Sequence, residues 1–188
     1  NRLGAKRMAK VTASDEANAN DAVEQFRELR PAYERYVSRL EALLADLLLD
    51  AGISVHTVES RVKTLESFAE KVVRAGKEYG DPIHEVSDLA GLRIILYYQD
   101  DVDRVASLLD REFEVDTVRS VDKRELLALD QFGYLSVHKV VQLSSARRSL
   151  VEWKECAGLC AEVQVRTLLQ HTWAAIQHKL EYKSTLDI

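Results

Sequence analysis

The chain has 188 residues, of which 46% are hydrophobic and 30% are charged, a composition typical of a folded globular protein and unlike that of a disordered chain. Its formal net charge of −5 argues against a broadly basic binder of duplex DNA or anionic membranes, but allows a small cationic pocket. No apolar run approaches the ~18 residues of a membrane span, and two cysteines are too few for a disulfide framework. We therefore expect a cytoplasmic protein with no membrane partner.

The N-terminal part of the chain predicts helices. Residues 1–14 lack periodicity and are predicted to be a leader, and residues 15–30 favour a helix. Pro31 predicts the start of a second helix, because proline has no N–H and is tolerated in a first helical turn. Leucines then recur at helical spacing, and the pair Ala51-Gly52 predicts where this second helix ends.

The remainder of the chain alternates strand and helix patterns. We predict strands within residues 53–63, 92–98, 113–119, 135–143 and 159–166, and helices over residues 65–79, 100–111 and 167–182. The strand at 92–98 is apolar enough for an interior position in a sheet. This order predicts an α+β domain with a mixed β-sheet flanked by helices, spanning residues 53–188 and preceded by an N-terminal leader and helical segment at 1–52.

A cluster of four cations and a hydroxyl surrounds the start of the helix predicted at residues 65–79. Its members are Arg61, Lys63, Ser67, Lys71 and Arg74. The first two share a strand face, and the last three share a helix face at spacing i, i+4, i+7. Arginine and lysine side chains converging on one point suit a triphosphate. The alternative is a solvated helix face whose cations pair with acidic neighbours four residues away.

Two carboxylates lie beside predicted strands. Asp88 precedes the second strand, and Glu162 lies on the fifth, where it shares a face with Gln164 and Arg166. Such carboxylates suit Mg2+, which usually takes one or two of them together with substrate phosphates. Arg93 lies in an otherwise apolar strand and needs a partner or a ligand, and pairing with Asp88 is the structural alternative.

Polar residues also alternate on the fourth predicted strand. Tyr134, Ser136 and His138 are expected on one face, where an aromatic ring, a hydroxyl and an imidazole suit a nucleobase and phosphates. A buried histidine with satisfied hydrogen bonds is the alternative. Zinc held by His138, His171 and His178 is weakly supported, because the sequence has no H-E-x-x-H pair. Glycine-rich phosphate loops are absent from the sequence, so side chains must bind any phosphates.

The combination of these groups is more specific than any one of them. Two carboxylates that could hold Mg2+, next to a cationic triphosphate site, are the groups that nucleotidyl or phosphoryl transfer requires.

At these positions the sequence resembles the synthetase domain of the RelA/SpoT family, which makes the alarmone (p)ppGpp. The resemblance covers residues 53–183 and includes five motifs in the family's order. They are Arg61-Val62-Lys63 with Ser67, Lys71 and Arg74; Asp88 to Ile94; Gly133-Tyr134 with Ser136 and His138; Glu162 to Thr167; and Trp173-Ala174 with His178, Tyr182 and Lys183. The last motif is most similar to that of the small stand-alone synthetases.

The resemblance implies a nucleotidyltransferase-like sheet and transfer of the β,γ-pyrophosphate of ATP to the 3′-hydroxyl of GDP or GTP. It implies that ATP is bound by Arg61, Lys63, Ser67, Lys71, Arg74 and Arg93, with Arg61 and Arg93 on either side of the adenine. Asp88 and Glu162 are implied to be the catalytic pair and the Mg2+ ligands, and Glu162 also to help deprotonate the hydroxyl. The implied acceptor-nucleotide site comprises Tyr134, His138, Gln164, Arg166 and His171. Small relatives are often homo-oligomers.

One stretch departs from the family pattern. Typical members read Lys-Pro-Asn-Gly-Tyr-Arg, and their lysine and arginine grip the 5′-phosphates of the acceptor. Here Asp130 and Leu135 replace those two cations. The acceptor therefore stays open between GDP, GTP, an adenosine nucleotide and the 3′-terminal adenosine of tRNA, although the acidic net charge disfavours tRNA. A catalytically weak nucleotide-binding module that regulates a partner is a further alternative.

Overall fold

The structure is a computed structural model that describes residues 13–74, 79–126 and 136–184, and these fold around a five-stranded mixed sheet. The strands are β1 (Val55–Val62), β2 (Ala90–Leu96), β3 (Phe113–Asp122), β4 (Val137–Leu143) and β5 (Cys160–Thr167). Their order is β1-β2-β5-β4-β3, in which β2 and β5 are parallel and the other neighbours are antiparallel. The predicted α+β class, the mixed sheet and the interior position of β2 are confirmed.

Helices flank this sheet. They are α1 (Ala13–Asp50), α2 (Leu65–Val72), α3 (Pro82–Glu85), α4 (Gln99–Glu112), α5 (Ser145–Arg148) and α6 (Leu168–Ser184), with short 3-10 helices at Lys123–Leu126 and Val151–Cys156. We did not predict α3, α5 or the 3-10 helices, because segments of four to six residues are too short to show helical periodicity. None of the helices in the described part of the chain is long and apolar enough to cross a membrane.

The predicted break at Pro31 is wrong, because α1 is one continuous helix of 38 residues with Pro31 inside it. An internal proline costs roughly 3 kcal/mol, since it removes a backbone hydrogen bond and crowds the preceding turn. Buried side chains lie on both sides of the proline, including Phe26, Tyr33 and Tyr36. Burying an aromatic side chain contributes on the order of 1.5–3 kcal/mol, so packing on both sides outweighs the local cost.

Helix α2 is shorter than predicted, and this changes the position of Arg74. Thr64 caps the helix by accepting a hydrogen bond from the backbone N–H of Ser67, and the helix ends at Val72. Phe68 is the buried residue that anchors α2, with its ring centroid 4.9 Å from that of Phe26. With so little buried surface, α2 gains little from further turns. Arg74 therefore lies beyond the helix, and the predicted i, i+4, i+7 face does not include it.

The two faces of the sheet have different chemistry. Helices α1 and α4 pack on one face, against buried residues such as Leu92, Ile94, Val163 and Val165. Because successive side chains in a strand point to opposite faces, the residues between these apolar ones lie on the other face. That second face carries the polar residues of the predicted site.

Two leucines of α1 provide a test of this packing. Leu44 is fully buried in the core, whereas Leu49, five residues later, is 79% exposed. We expect Leu44→Ala to lower the free energy of unfolding by about 2–5 kcal/mol, because it removes buried methyl groups and leaves a cavity. The control Leu49→Ala is expected to change it by less than about 0.5 kcal/mol. Urea denaturation measures both, and equal losses would contradict the assigned orientation of α1.

Candidate active site

The register of the sheet aligns polar residues from four strands on one face. One row across the sheet runs through Glu59, Arg93, Gln164 and His138, and the next runs through Arg61, Gly91 and Glu162. Neighbouring residues in such rows lie close enough for their side chains to interact. Pairing of the strands therefore gathers into one patch residues that are far apart in the sequence.

A cavity of about 130 Å³ opens on this patch. It is lined by Glu59, Ser60, Arg61, Asp88, Gly91, Leu92, Arg93, Glu162 and Gln164. Five of these nine residues were predicted site residues, namely Arg61, Asp88, Arg93, Glu162 and Gln164. The sequence analysis missed Glu59, although its spacing of two from Arg61 could have revealed it, because residues i and i+2 share a strand face.

Gly91 keeps the centre of the cavity open. It is the cross-strand partner of Arg61 on one side and of Glu162 on the other. A Cβ atom added to Gly91 would lie 3.5 Å from the Cγ atom of Arg61, which is ordinary van der Waals contact. A small side chain at this position would therefore fit, whereas a large one would fill the part of the cavity between Arg61 and Glu162.

Asp88 is held between two lysines. Lys63 directly follows β1 and Lys71 lies in the last turn of α2, and each Nζ atom is 2.8 Å from an oxygen of the Asp88 carboxylate. Burial opposes ionisation of Asp88, but the hydrogen bonds and charges of the two lysines outweigh it and hold its pKa below the usual value. The site therefore contains an ionised carboxylate that is paired with two ammonium groups.

These contacts decide two of the alternatives left open above. Lys71 pairs with Asp88, so its assignment to a solvated helix face with acidic neighbours is wrong. Arg93 pairs with Glu59 across the strands, with Nη1 3.2 Å from Oε2, so the alternative in which Arg93 pairs with Asp88 is wrong as well. The two guanidinium groups of the predicted adenine site, Arg61 and Arg93, both line the cavity.

Glu162 lies at the far side of the cavity from β1. Its Oε1 atom accepts hydrogen bonds from Nδ1 of His138 at 2.9 Å and from Nε2 of Gln164 at 2.8 Å. Burial raises the pKa of Glu162, but the hydrogen bonds from His138 and Gln164 outweigh it, so the pKa lies below the usual value. The negative charge of Asp88 acts in the opposite direction and raises the pKa of Glu162.

The two carboxylates fit a Mg2+ site. Both line the same cavity and repel each other electrostatically, a repulsion that a divalent cation would relieve. Within the described residues no three His, Cys, Asp or Glu side chains form a cluster that could hold a metal ion. Two carboxylates are nevertheless sufficient for Mg2+, which completes its coordination with water and substrate phosphates.

Arg166, near the end of β5, and His171, in the first turn of α6, form a second polar pair. The Arg166 side chain is only 4% exposed, and its Nη2 atom donates to Nδ1 of His171 at 2.9 Å. Burial and the positive charge of Arg166 lower the pKa of His171, which favours the neutral ring that can accept this hydrogen bond. The hydrogen bond brings together Arg166 and His171, two residues of the implied acceptor-nucleotide site, and orients the guanidinium group of Arg166.

Three predicted site residues lie elsewhere or cannot be placed. Ser67 and Arg74 are exposed, and neither is among the residues that line the described cavity. Tyr134 lies outside the described residues, as does the stretch from Asp130 to Leu135 in which the sequence departs from the family pattern. The roles assigned to these residues stay predictions.

Comparison with known proteins identifies the family of this chain. A family model described as "Region found in RelA / SpoT proteins" matches residues 60–187. The chain belongs to the RelA/SpoT family. The match begins at Ser60, within β1, and extends past the end of α6, so it includes all the cavity residues except Glu59.

Named relatives come from Bacillus subtilis. This RelA/SpoT chain is 32% identical over 138 residues to the GTP pyrophosphokinase YwaC and 34% identical over 145 residues to the GTP pyrophosphokinase YjbM. Each match covers 71% of this chain and 60% of the relative, so the chain spans about 60% of the length of these curated relatives.

Solved structures show the same fold. Small alarmone synthetase 1 from Bacillus subtilis, bound to its product pppGpp, matches with a TM-score of 0.64 and 28% identity, over 86% of this chain and 82% of that chain. The same synthetase bound to AMPCPP matches with a TM-score of 0.61 and 26% identity, over 88% and 82% of the two chains. The expected similarity to small synthetases is confirmed.

Proposed function

We propose that this chain transfers the β,γ-pyrophosphate of ATP to the 3′-hydroxyl of GDP or GTP, producing AMP and (p)ppGpp. The observation that carries the proposal is that Asp88 and Glu162 line one cavity together with Arg61 and Arg93. The relatives named GTP pyrophosphokinase and the complexes of small alarmone synthetase 1 with pppGpp and AMPCPP support it.

The donor nucleotide would occupy the β1–β2 side of the cavity. Arg61 and Arg93 present planar guanidinium groups, which stack on an aromatic base such as adenine. Lys63 and Lys71 already face a carboxylate, so both are positioned to bind anionic oxygens of the triphosphate. Mg2+ held by Asp88 and Glu162 would neutralise phosphate charge during the transfer.

The transfer itself requires a base and a positioned phosphorus. Glu162 would accept the proton of the 3′-hydroxyl, because a carboxylate whose pKa is not raised by its surroundings is ionised near neutral pH. The hydroxyl oxygen then forms a bond to the β-phosphorus of ATP, and the bond between the α,β-bridging oxygen and the β-phosphorus breaks to release AMP. Positioning and charge neutralisation supply most of the rate enhancement in such reactions.

The acceptor nucleotide would lie on the β5–α6 side. Gln164 lines the cavity, and Arg166, fixed by His171, offers a cation next to it. Tyr134 is proposed to stack on the acceptor base. Because Asp130 and Leu135 replace the family's phosphate-gripping cations, acceptor choice is the point on which the proposal must be tested.

The test uses purified protein with γ-labelled ATP and Mg2+, and adds GDP, GTP, ADP or deacylated tRNA in separate reactions. We expect label to move to GDP and GTP, in each case forming a product with a labelled 3′-pyrophosphate. Label found only in tRNA or only in ADP would contradict the guanosine acceptor. Absence of transfer to any acceptor would instead favour the nucleotide-binding module.

A graded pair of substitutions at Gly91 tests the donor site. Gly91 has no positive φ angle, so other residues can occupy its backbone conformation. We expect Gly91→Ala to change the KM for ATP little, since the added Cβ makes only ordinary contact with Arg61. Gly91→Leu would fill the cavity and raise that KM by about tenfold or more, equivalent to a loss of roughly 1.4 kcal/mol of binding free energy. Initial-rate kinetics measure both, and a Leu variant with unchanged KM would place ATP elsewhere.

A further inference from the structure

Ser136, which directly precedes β4, and His138, on β4, are hydrogen-bonded to each other, and His138 also contacts Glu162. Neither residue has a part in the steps described above. We infer that they are positioning residues for Glu162, holding one oxygen of its carboxylate so that the other is presented to the cavity. The inference rests on the proposed function, in which Glu162 acts on the acceptor hydroxyl. The family resemblance implied a contact of His138 with acceptor phosphates instead, and the experiments below separate the two roles.

The contacts form an unbroken chain. The Oγ atom of Ser136 lies 2.8 Å from Nε2 of His138, and Nδ1 of His138 lies 2.9 Å from Oε1 of Glu162. Gln164 donates to the same Oε1 atom at 2.8 Å. Both hydrogen bonds to the carboxylate thus end on Oε1, which leaves Oε2 as the oxygen available to a ligand among the described contacts.

The chain is rigid because the sheet and the core hold it. Ser136 is fully buried, and the side chains of His138 and Glu162 are only 13% and 16% exposed. His138 and Gln164 are direct cross-strand partners on β4 and β5, so the register of these strands places both donors beside Glu162. A carboxylate fixed in this way loses less rotational freedom when it binds a ligand.

The direction of the hydrogen bond between His138 and Glu162 does not depend on the charge of the imidazole. An ionised carboxylate only accepts, so Nδ1 must carry a proton. In the neutral ring Nε2 is then an acceptor, and the Ser136 hydroxyl supplies the donor that fits it. In the protonated ring Nε2 donates to the Ser136 oxygen instead. Ser136 can satisfy either form, and in both forms Nδ1 donates to Glu162.

A series of substitutions separates positioning from substrate contact. His138→Ala removes the donor to Glu162, whereas His138→Asn replaces it, because the side-chain amide nitrogen of asparagine lies close to the position of Nδ1. We expect His138→Ala to lower kcat by about 10- to 100-fold, the range typical of residues that orient a metal ligand, with the KM values for ATP and acceptor nearly unchanged. His138→Asn should recover most of kcat, and Ser136→Ala should cause a smaller loss than His138→Ala.

A second readout does not depend on transfer. Mn2+ serves as the probe for the cation site, and its dissociation constant is measured on each variant in the presence of AMPCPP, which relatives bind. We expect His138→Ala to weaken Mn2+ binding about tenfold or more and His138→Asn to restore it. His84→Ala is the matched control, because His84 is an exposed histidine on α3 that pairs with Asp81 and should change neither quantity. Thermal unfolding of each variant verifies that it is folded.

Two results would overturn the inference. One is an increased KM for the acceptor with unchanged kcat in His138→Ala, which would mean that His138 binds the acceptor directly. The other is failure of His138→Asn to restore either kcat or Mn2+ affinity in a folded protein. If the wild-type chain transfers pyrophosphate to no acceptor, the proposed function fails by itself, and the Mn2+ measurements alone then decide whether His138 positions Glu162.

Discussion

Glu162→Gln is expected to abolish pyrophosphate transfer while binding of ATP survives. Glutamine has nearly the same size and can still accept a hydrogen bond, but it can neither accept the proton of the 3′-hydroxyl nor carry a negative charge for Mg2+. Loss of a general base alone accounts for about 10²- to 10⁴-fold, so we expect a fall in kcat of at least about 10³-fold. Transfer of label from γ-labelled ATP measures the rate, and equilibrium dialysis measures ATP binding.

The matched control for this variant is Glu114→Gln. Glu114 lies on β3 and accepts hydrogen bonds from Arg148 on α5, away from the residues that line the cavity. It should retain normal kcat. Activity near the wild-type level in Glu162→Gln would remove Glu162 from the catalytic role, and loss of ATP binding would make it a donor-site residue instead.

Asp88→Asn is expected to be the second most damaging change, and to separate ATP binding from Mg2+ binding. The substitution removes a carboxylate that would hold Mg2+ and leaves the ammonium groups of Lys63 and Lys71 without its negative charge. We expect kcat to fall by about 10²- to 10³-fold, since the variant loses electrostatic stabilisation of the transferring group. Without Mg2+, ATP should bind as tightly as to the wild type or more tightly, because the two lysines no longer have a competing anion.

The measurement is the dissociation constant of ATP with and without Mg2+. In the wild type we expect Mg2+ to strengthen ATP binding, and in Asp88→Asn we expect this dependence to be lost. Asp110→Asn is the matched control, because Asp110 is also paired with a lysine, Lys139, but is not among the cavity residues. A Mg2+ dependence that persists in Asp88→Asn would show that Asp88 is not a metal ligand.

The strands and the polar face of the site could be predicted because both follow from local alternation. In β5 the polar residues Glu162 and Gln164 alternate with buried valines, and this period of two is visible in the sequence. Contact between the site residues could not be predicted from such a pattern. Asp88 and Glu162 line one cavity because β5 pairs with β2, and that pairing joins segments far apart in the chain.

Local rules failed where tertiary packing outweighs them. Pro31 is compatible with the first turn of a helix, yet α1 continues through it because aromatic side chains on both sides are buried against the rest of the protein. The alternative partners of Arg93 and Lys71 were wrong as well, because a local pattern indicates only partners that are close in sequence. The observed partner of Arg93, Glu59, is its neighbour across two antiparallel strands.

The position of β5 at the centre of the sheet has a consequence for synthesis of the chain. Of the strands in the described residues it is the last to leave the ribosome, yet it separates β2 from β4 in the folded sheet. Until residue 167 has emerged, β2 and β4 each expose an unpaired edge, which is a hazard for aggregation. The nascent chain also lacks Glu162, so no pyrophosphate transfer is expected from it. Insertion of one strand thus completes the hydrogen bonding of the described sheet and brings Glu162 into one cavity with Asp88, so the proposed activity would depend on completion of the fold.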